Sequence, residues 1–198
     1  MSLERMPVVT IAAIRAFVAV PLPEEVRARL GEEVARLRPR APGVAWVSPS
    51  NLHLTLKFLG AVESAQIQSV QAALAGVVSA HAPFQLAFHG LGAFPTVARP
   101  RVVWAGVGDG VEAAQRLAGA VERALGALGF EPDGRAFSAH VTLGRVRVPR
   151  LNSGLAEALE AGRAQAFGAM LVDRLALVQS ELSPQGARYT ELAVFPLG

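Results

Sequence analysis

The spacing of apolar residues along the chain switches repeatedly between two periods, which predicts a mixture of strands and helices. Apolar runs and apolar-polar alternation, bounded by proline, glycine or polar residues, predict strands at 14–20, 52–59, 83–91, 101–107, 139–148, 168–182 and 188–195. Apolar residues three or four positions apart predict helices at 24–38, 63–79, 111–128 and 153–163.

The predicted strand at 52–59 has one apolar face and one polar face. The leucines at 52, 54 and 56 and Phe58 share the apolar face, and they alternate with His53, Thr55 and Lys57. Because successive side chains in a strand point to opposite sides, His53 and Thr55 lie next to each other, and strict alternation places Lys57 on the same face.

The order strand, helix, strand occurs twice, and the last strand of each unit carries the same signature of His, aliphatic residue, Thr and Leu. The signature occupies residues 53–56 and 140–143. With four His in the chain, random placement gives roughly 0.1 His-x-Thr triplets, so chance explains two of them poorly. The repeat predicts two related lobes with pseudo-two-fold symmetry.

The composition is that of a globular protein, and we expect one domain over residues 1–198. The chain is 52% hydrophobic and 18% charged, and it has no Cys, which excludes disulfides and cysteine nucleophiles. The absence of Cys fits a reducing compartment, so we expect a cytoplasmic protein. Arg15 interrupts the apolar N-terminal stretch, so we expect no membrane helix. Every basic residue except Lys57 is Arg, a residue type that suits phosphate groups.

The two His-x-Thr pairs predict acid-base chemistry at phosphorus. If they converge on one cleft, one imidazole of the pair His53 and His140 can take a proton and the other can give one. Thr55 and Thr142 can donate hydrogen bonds to phosphate oxygens. Neither His has a second metal ligand at a typical spacing, so we expect no metal. The sequence also lacks a serine-hydrolase elbow and a Walker loop.

Around these residues the sequence resembles the 2H phosphoesterases, and within them the RNA 2′,3′-cyclic phosphodiesterases, also named 2′-5′ RNA ligases. The matching segments are 15–19, 51–60, 92–95, 100–104, 140–145 and 180–189. Members commonly begin near the first strand, so residues 1–13 are predicted to be an N-terminal extension.

The resemblance implies an α+β fold of two pseudo-symmetric lobes, with antiparallel sheets lining a central cleft and helices outside. It implies hydrolysis of RNA 2′,3′-cyclic phosphate ends to 2′-phosphomonoesters without a cofactor, with His53 as the acid and His140 as the base. RNA ends, tRNA fragments or cyclic nucleotides are then the expected substrates, and we expect a monomer. Two alternatives stay open: a ligase that joins tRNA halves, and a module that binds RNA or nucleotides without chemistry.

Further side chains are candidates for substrate contact. The phosphate-side arginine of the family maps to Arg145, which strict alternation from His140 would place on the opposite face unless a bulge intervenes. The remaining candidates are Lys57 and Arg101 as cations and Phe17, Trp46 and Tyr189 as rings that could stack on a base, with core packing as the alternative for the three rings.

Overall fold

The computed structural model describes residues 13–149, 152, 154–183 and 186–198, and their elements form an α+β fold, as predicted. The strands are β1 Ile14–Pro21, β2 Val44–Trp46, β3 His53–Val62, β4 Phe84–Thr96, β5 Arg99–Val107, β6 His140–Val146, β7 Ala166–Val172, β8 Arg174–Ser183 and β9 Gly186–Pro196. The helices are α1 Glu24–Leu37, α2 Ile67–Val78, α3 Val111–Gly126 and α4 Leu155–Ala161. Of the predicted extension at 1–13, only Ala13 lies within the described residues.

Three elements differ from the sequence-based prediction. The predicted strand at 168–182 is two strands, β7 and β8, which are separated by the exposed Asp173. The short β2 was not predicted, because three residues are too few to show an alternating pattern. Strand β4 runs past its predicted end at residue 91 to Thr96, which pairs with Arg99 of β5.

All the strands join in one antiparallel sheet. Its order is β7-β4-β5-β6-β3-β1-β8-β9, with β2 also paired to β6. The two repeats lie in different halves of this sheet, and the halves meet where β3 pairs with β6 through Leu54 and Val141. The two predicted lobes are therefore the two halves of one continuous sheet.

The helices cover one face of the sheet. The buried apolar residues of all four helices belong to one cluster, and this cluster also contains Leu54 and Val141, which are fully buried. Full burial of a leucine side chain stabilises a fold by about 1.5 to 3 kcal/mol. Since side chains alternate along a strand, His53 and His140 project from the other face, away from the helices.

Both repeats contain a β-bulge at the leucine that ends the signature of His, aliphatic residue, Thr and Leu. Between β1 and β3 the register passes from Ala19–Thr55 to Val18–Lys57, so Leu56 is an extra residue. Between β5 and β6 it passes from Trp104–Thr142 to Val103–Gly144, so Leu143 is extra. An extra residue inverts the alternation beyond it, and the side chains after each leucine therefore change face.

The bulge at Leu56 turns Lys57 away from the face of His53, so the predicted placement of Lys57 is wrong. The Lys57 side chain is buried, and its Nζ donates to both carboxylate oxygens of Glu122, at 2.9 and 2.8 Å, and to the Glu131 carbonyl at 2.8 Å. These contacts use all three N–H donors of the ammonium group, so Lys57 is not available to a substrate phosphate.

The Lys57–Glu122 pair makes an asymmetric prediction about stability. Glu122→Gln leaves a fully buried ammonium without an anion, and we expect unfolding free energy to fall by about 3 to 5 kcal/mol. Lys57→Met should cost less, because the Glu122 side chain is 30% exposed and can be rehydrated. Urea unfolding measures both, with the exposed Glu112→Gln on the same helix as a control expected to stay within about 0.5 kcal/mol. A larger loss for Lys57→Met than for Glu122→Gln would contradict this account.

Candidate active site

The four residues of the His-x-Thr signatures lie next to one another on adjacent strands. Since Leu54 pairs with Val141 in antiparallel register, His53 comes opposite Thr142, and Thr55 comes opposite His140. Residues directly opposite have Cβ atoms about 5 Å apart, and diagonal neighbours are about 7 to 8 Å apart. The two His are such diagonal neighbours, so their rings project side by side from one face of the sheet.

Each imidazole is held by the backbone of its own repeat. His53 Nδ1 donates to the carbonyl oxygen of Asn51 at 2.7 Å, and His140 Nδ1 donates to that of Ser138, also at 2.7 Å. A carbonyl oxygen only accepts hydrogen bonds, so Nδ1 carries the proton in the neutral ring. In both His, Nε2 is therefore the nitrogen that can take or give a proton.

Aromatic rings pack against both imidazoles. Phe17 stacks on His53 with ring centroids 4.7 Å apart, and Tyr189 meets the same ring edge-on at 5.3 Å. His140 meets Phe94 edge-on at 5.0 Å, and the Trp104 ring lies 6.5 Å away. These rings limit the rotation of the imidazoles and exclude water from their flanks.

This burial shifts the acid-base behaviour of the site. Removal from water lowers the pKa of His53, and the hydrogen bond to Asn51 opposes this effect. Burial also lowers the pKa of His140, where the Ser138 carbonyl opposes the shift and the positive charge of Arg145 adds to it. The pKa of Tyr189 is raised by burial. Both imidazoles are therefore mostly neutral at pH 7.

Two cavities flank the imidazoles. The larger, of about 620 Å³, contains Thr55, His140 and Thr142 in its wall, together with the segment 133–138. His53 lines a smaller cavity of about 130 Å³ with Phe17, Asn51 and Tyr189. His53 is not among the residues that line the larger cavity, although Thr55, which shares its strand face, is.

The bulge at Leu143 brings Arg145 onto the face of His140. Arg145 pairs with Val102, and both line the larger cavity, which resolves the conflict with strict alternation. In the other repeat, the residue five positions after the His is Phe58, whose side chain is 59% exposed and lines the same cavity. The two halves of the site therefore differ by a cation on one side and an aromatic ring on the other.

The remaining candidates lie in three different surroundings. Trp46 pairs with Gly144 and is a partly buried ring that packs against the main apolar cluster. Phe17 is 3% exposed and lies against His53, where it positions the imidazole and has almost no surface to offer a substrate. Tyr189 is partly exposed beside His53. Arg101 lines a separate groove outside both cavities.

Several functional groups escaped the sequence-based prediction. Phe58 was assigned to the apolar face, and Phe94 and Trp104 received no role beside His140. One signal for Trp104 exists in the sequence: Gly92, where an added Cβ would lie 2.3 Å from the Trp104 ring, marks the space that this ring needs. The carbonyls that hold Nδ1 belong to the backbone and leave no residue-type signal.

Two further properties concern the described ranges alone. Within them, no three His, Asp or Glu side chains lie close enough together to hold a metal ion. None of the helices there is long and apolar enough to cross a membrane.

Known proteins share this arrangement of sequence and fold. The family described as LigT like Phosphoesterase matches residues 20–104 and 107–189, so that each match contains one His-x-Thr signature. A relative from Archaeoglobus fulgidus, named RNA 2′,3′-cyclic phosphodiesterase, is 39% identical over 182 residues, which cover 92% of this chain and 99% of the relative. A relative of the same name from Thermus thermophilus is 36% identical over 193 residues, with 93% and 90% covered.

Solved structures have the same fold. The crystal structure of TT0787 of Thermus thermophilus superimposes with a TM-score of 0.77 at 35% identity, covering 93% of this chain and 98% of that one. Escherichia coli LigT complexed with 3′-AMP gives a TM-score of 0.76 at 24% identity, with the same coverage, which shows a shared fold. From the family match over both repeats and these relatives, the chain belongs to the LigT-like phosphoesterase family.

Proposed function

We propose that this phosphoesterase hydrolyses the 2′,3′-cyclic phosphodiester at RNA ends to a 2′-phosphomonoester, with His53 and His140 as its proton-transfer pair. The observation that carries the proposal is the pair of imidazoles on adjacent strands, each with Nδ1 bound to a carbonyl and Nε2 left for chemistry. The name RNA 2′,3′-cyclic phosphodiesterase of the relatives supports the substrate class.

The reaction needs one proton acceptor and one proton donor. Nε2 of one imidazole takes a proton from water while the water oxygen forms a bond to phosphorus. The bond between phosphorus and the ribose 3′ oxygen breaks, and this oxygen receives a proton from Nε2 of the other imidazole. The products are a 2′-phosphomonoester and a 3′ hydroxyl, and exchange with solvent restores the two protonation states.

Arg145 supports the assignment of His140 as the base. Its positive charge lowers the pKa of His140 beyond the effect of burial, which favours the neutral ring that accepts a proton. Burial alone lowers the pKa of His53. His53 is then the acid that protonates the leaving 3′ oxygen.

In the proposed reaction, Thr55 and Thr142 hold the phosphate. Each lies opposite the His of the other repeat, so the two hydroxyl groups complete a set of four groups on one face of the sheet. Their O–H groups can donate to the non-bridging oxygens, where negative charge increases in the transition state.

Product analysis distinguishes hydrolysis from the two other candidate activities. An oligonucleotide with a 2′,3′-cyclic phosphate end is incubated with the protein in EDTA and without ATP. We expect a 2′-phosphate end. A longer strand with a 2′-5′ bond would indicate a ligase, and unchanged RNA that binds measurably would indicate a binding module.

Replacement of either imidazole tests the proton-transfer pair. We expect His53→Ala and His140→Ala each to lower kcat by about 10² to 10⁴-fold, because each removes one general acid or base. Circular dichroism should show an unchanged fold. The exposed His89 on β4 is the control, and His89→Ala should retain normal turnover. Near-normal rates in both active-site variants would rule out the pair.

The pH dependence follows from the direction of the pKa shifts. The base must be neutral and the acid protonated, and both pKa values lie below the ordinary value of 6.5 in the free enzyme. We therefore expect a bell-shaped profile of kcat/KM with its maximum below pH 6.5. Bound anionic phosphate stabilises the protonated rings, so the kcat profile should lie at higher pH. Arg145→Gln removes a charge that lowers the pKa of His140, so the acidic limb of the profile, which reports His140 as the base, should move to higher pH. A kcat/KM maximum above pH 7 would contradict the assignment.

The role of the hydroxyl groups is tested by removing them without changing the side-chain shape. Thr55→Val and Thr142→Val should each lower kcat by about 10² to 10³-fold, the loss expected for one hydrogen-bond donor to a developing charge. Substrate affinity should change much less. Thr190→Val, at an exposed position on β9, is the matched control. Loss through KM alone would show that the hydroxyls bind the ground state only.

A further inference from the structure

Arginines are concentrated at one end of the sheet, where β5 begins and β6 ends. Arg99 and Arg101 lie on β5, and Arg145 lies on β6 opposite Val102. Arg147 directly follows β6, where its backbone N–H donates to the Gly43 carbonyl. All four side chains are exposed.

In the described part of the chain, these four guanidinium groups have no anionic partner. None of them forms a side-chain hydrogen bond or an ion pair there, unlike Arg29, Arg36, Arg163 and Arg174, which each pair with a carboxylate within 4.0 Å. Other described arginines, such as Arg116 and Arg123, also have no ion pair, and the four differ from those in lying together at one end of the sheet. Unpaired like charges that are close together repel each other, and a polyanion that bridges them is bound favourably. This end of the molecule therefore has the electrostatic character of an anion-binding surface.

A groove lies beside two of these arginines, at the start of β5. Arg99 and Arg101 line a cavity of about 480 Å³, which we call the arginine groove, and no Asp or Glu is present among its described lining residues. Arg101 lines the groove, and the following residue, Val102, lines the cavity of about 620 Å³ that contains His140 in its wall, so the two spaces adjoin consecutive positions of β5.

We propose that the arginine groove binds the phosphodiester backbone of the RNA strand whose cyclic phosphate end lies between His53 and His140. The proposal rests on the proposed function and extends it to the length of the substrate. A cyclic phosphate occupies the 2′ and 3′ oxygens, so the RNA continues only from the 5′ side of the terminal nucleotide and must leave the larger cavity in one direction.

The chemistry and spacing of the groove fit such a strand. Guanidinium groups bind phosphate oxygens in bidentate geometry and stay charged at all physiological pH values. Arg99 and Arg101 are two residues apart on β5, where a strand rises about 3.3 Å per residue, so their Cα atoms are at most about 6.6 Å apart, a distance comparable to that between consecutive phosphates in an extended RNA chain. Contacts to phosphate position a strand without reading its bases, so the groove selects for length and not for sequence.

The test compares substrates of one, two, four and eight nucleotides, each with a 2′,3′-cyclic phosphate end. For the wild-type protein, KM should fall with length, by roughly tenfold or more between one and eight nucleotides. Arg99→Ala with Arg101→Ala should abolish this gain while leaving kcat and the hydrolysis of the mononucleotide unchanged. The dependence of log(1/KM) on log salt for the eight-nucleotide substrate should become less steep by about 0.7 for each phosphate that the variant no longer binds.

Arg116→Ala with Arg123→Ala, two exposed positions on α3, is the control with the same change in net charge. A KM independent of length, or an equal loss in this control variant, would overturn the proposal.

Fluorescence anisotropy of an eight-nucleotide RNA with a 2′-phosphate end measures the affinity of the protein for RNA without catalysis. If the wild-type protein hydrolyses none of the substrates, the proposed function fails, and selective loss of this binding in the β5 variant still supports the groove, whereas equal binding refutes it.

Discussion

The pairing of β3 with β6 at Leu54 and Val141 is the constraint on which the site depends. Both residues are fully buried beneath the helices, and a slip of one residue in either strand would turn the buried apolar side chains of that strand to solvent and its imidazole into the core. The free energy of apolar burial therefore fixes the register, and the register places each His opposite the Thr of the other repeat. Catalytic alignment in this fold is a consequence of core packing.

The two halves of the sheet prepare their imidazoles by the same means. A carbonyl two residues before the His binds Nδ1, aromatic rings cover the flanks, and a leucine bulge ends the regular alternation. The halves differ beyond the bulge, where one exposes Arg145 and the other Phe58. Equivalent imidazoles thereby acquire unequal electrostatic surroundings, and this inequality is what allows one of them to serve as base and the other as acid in the proposed reaction.

The spacing of apolar residues predicts most of the strands and helices, because each element buries one face. The repeated His-x-Thr signature predicts the two halves of the site, because its polar residues interrupt apolar strands. The bulges could not be predicted in the same way. Leu56 and Leu143 are apolar residues in apolar strands, so the pattern is the same whether or not each is an extra residue. The placements of Lys57 and Phe58 were wrong for this reason, whereas a bulge had been anticipated as one explanation for Arg145. Trp46 was uncertain because an aromatic residue near a motif serves the core as readily as a ligand.

The burial of Lys57 has a practical consequence for covalent labelling. It is the only lysine in the chain, and its ammonium group is enclosed by Glu122 and the Glu131 carbonyl. Reagents that acylate lysine amines need an accessible nitrogen, so they meet no reactive lysine side chain while Glu122 and the 131–133 segment stay in place. Acylation of this single amine would therefore report transient detachment of the 131–133 segment from the strand that carries His53.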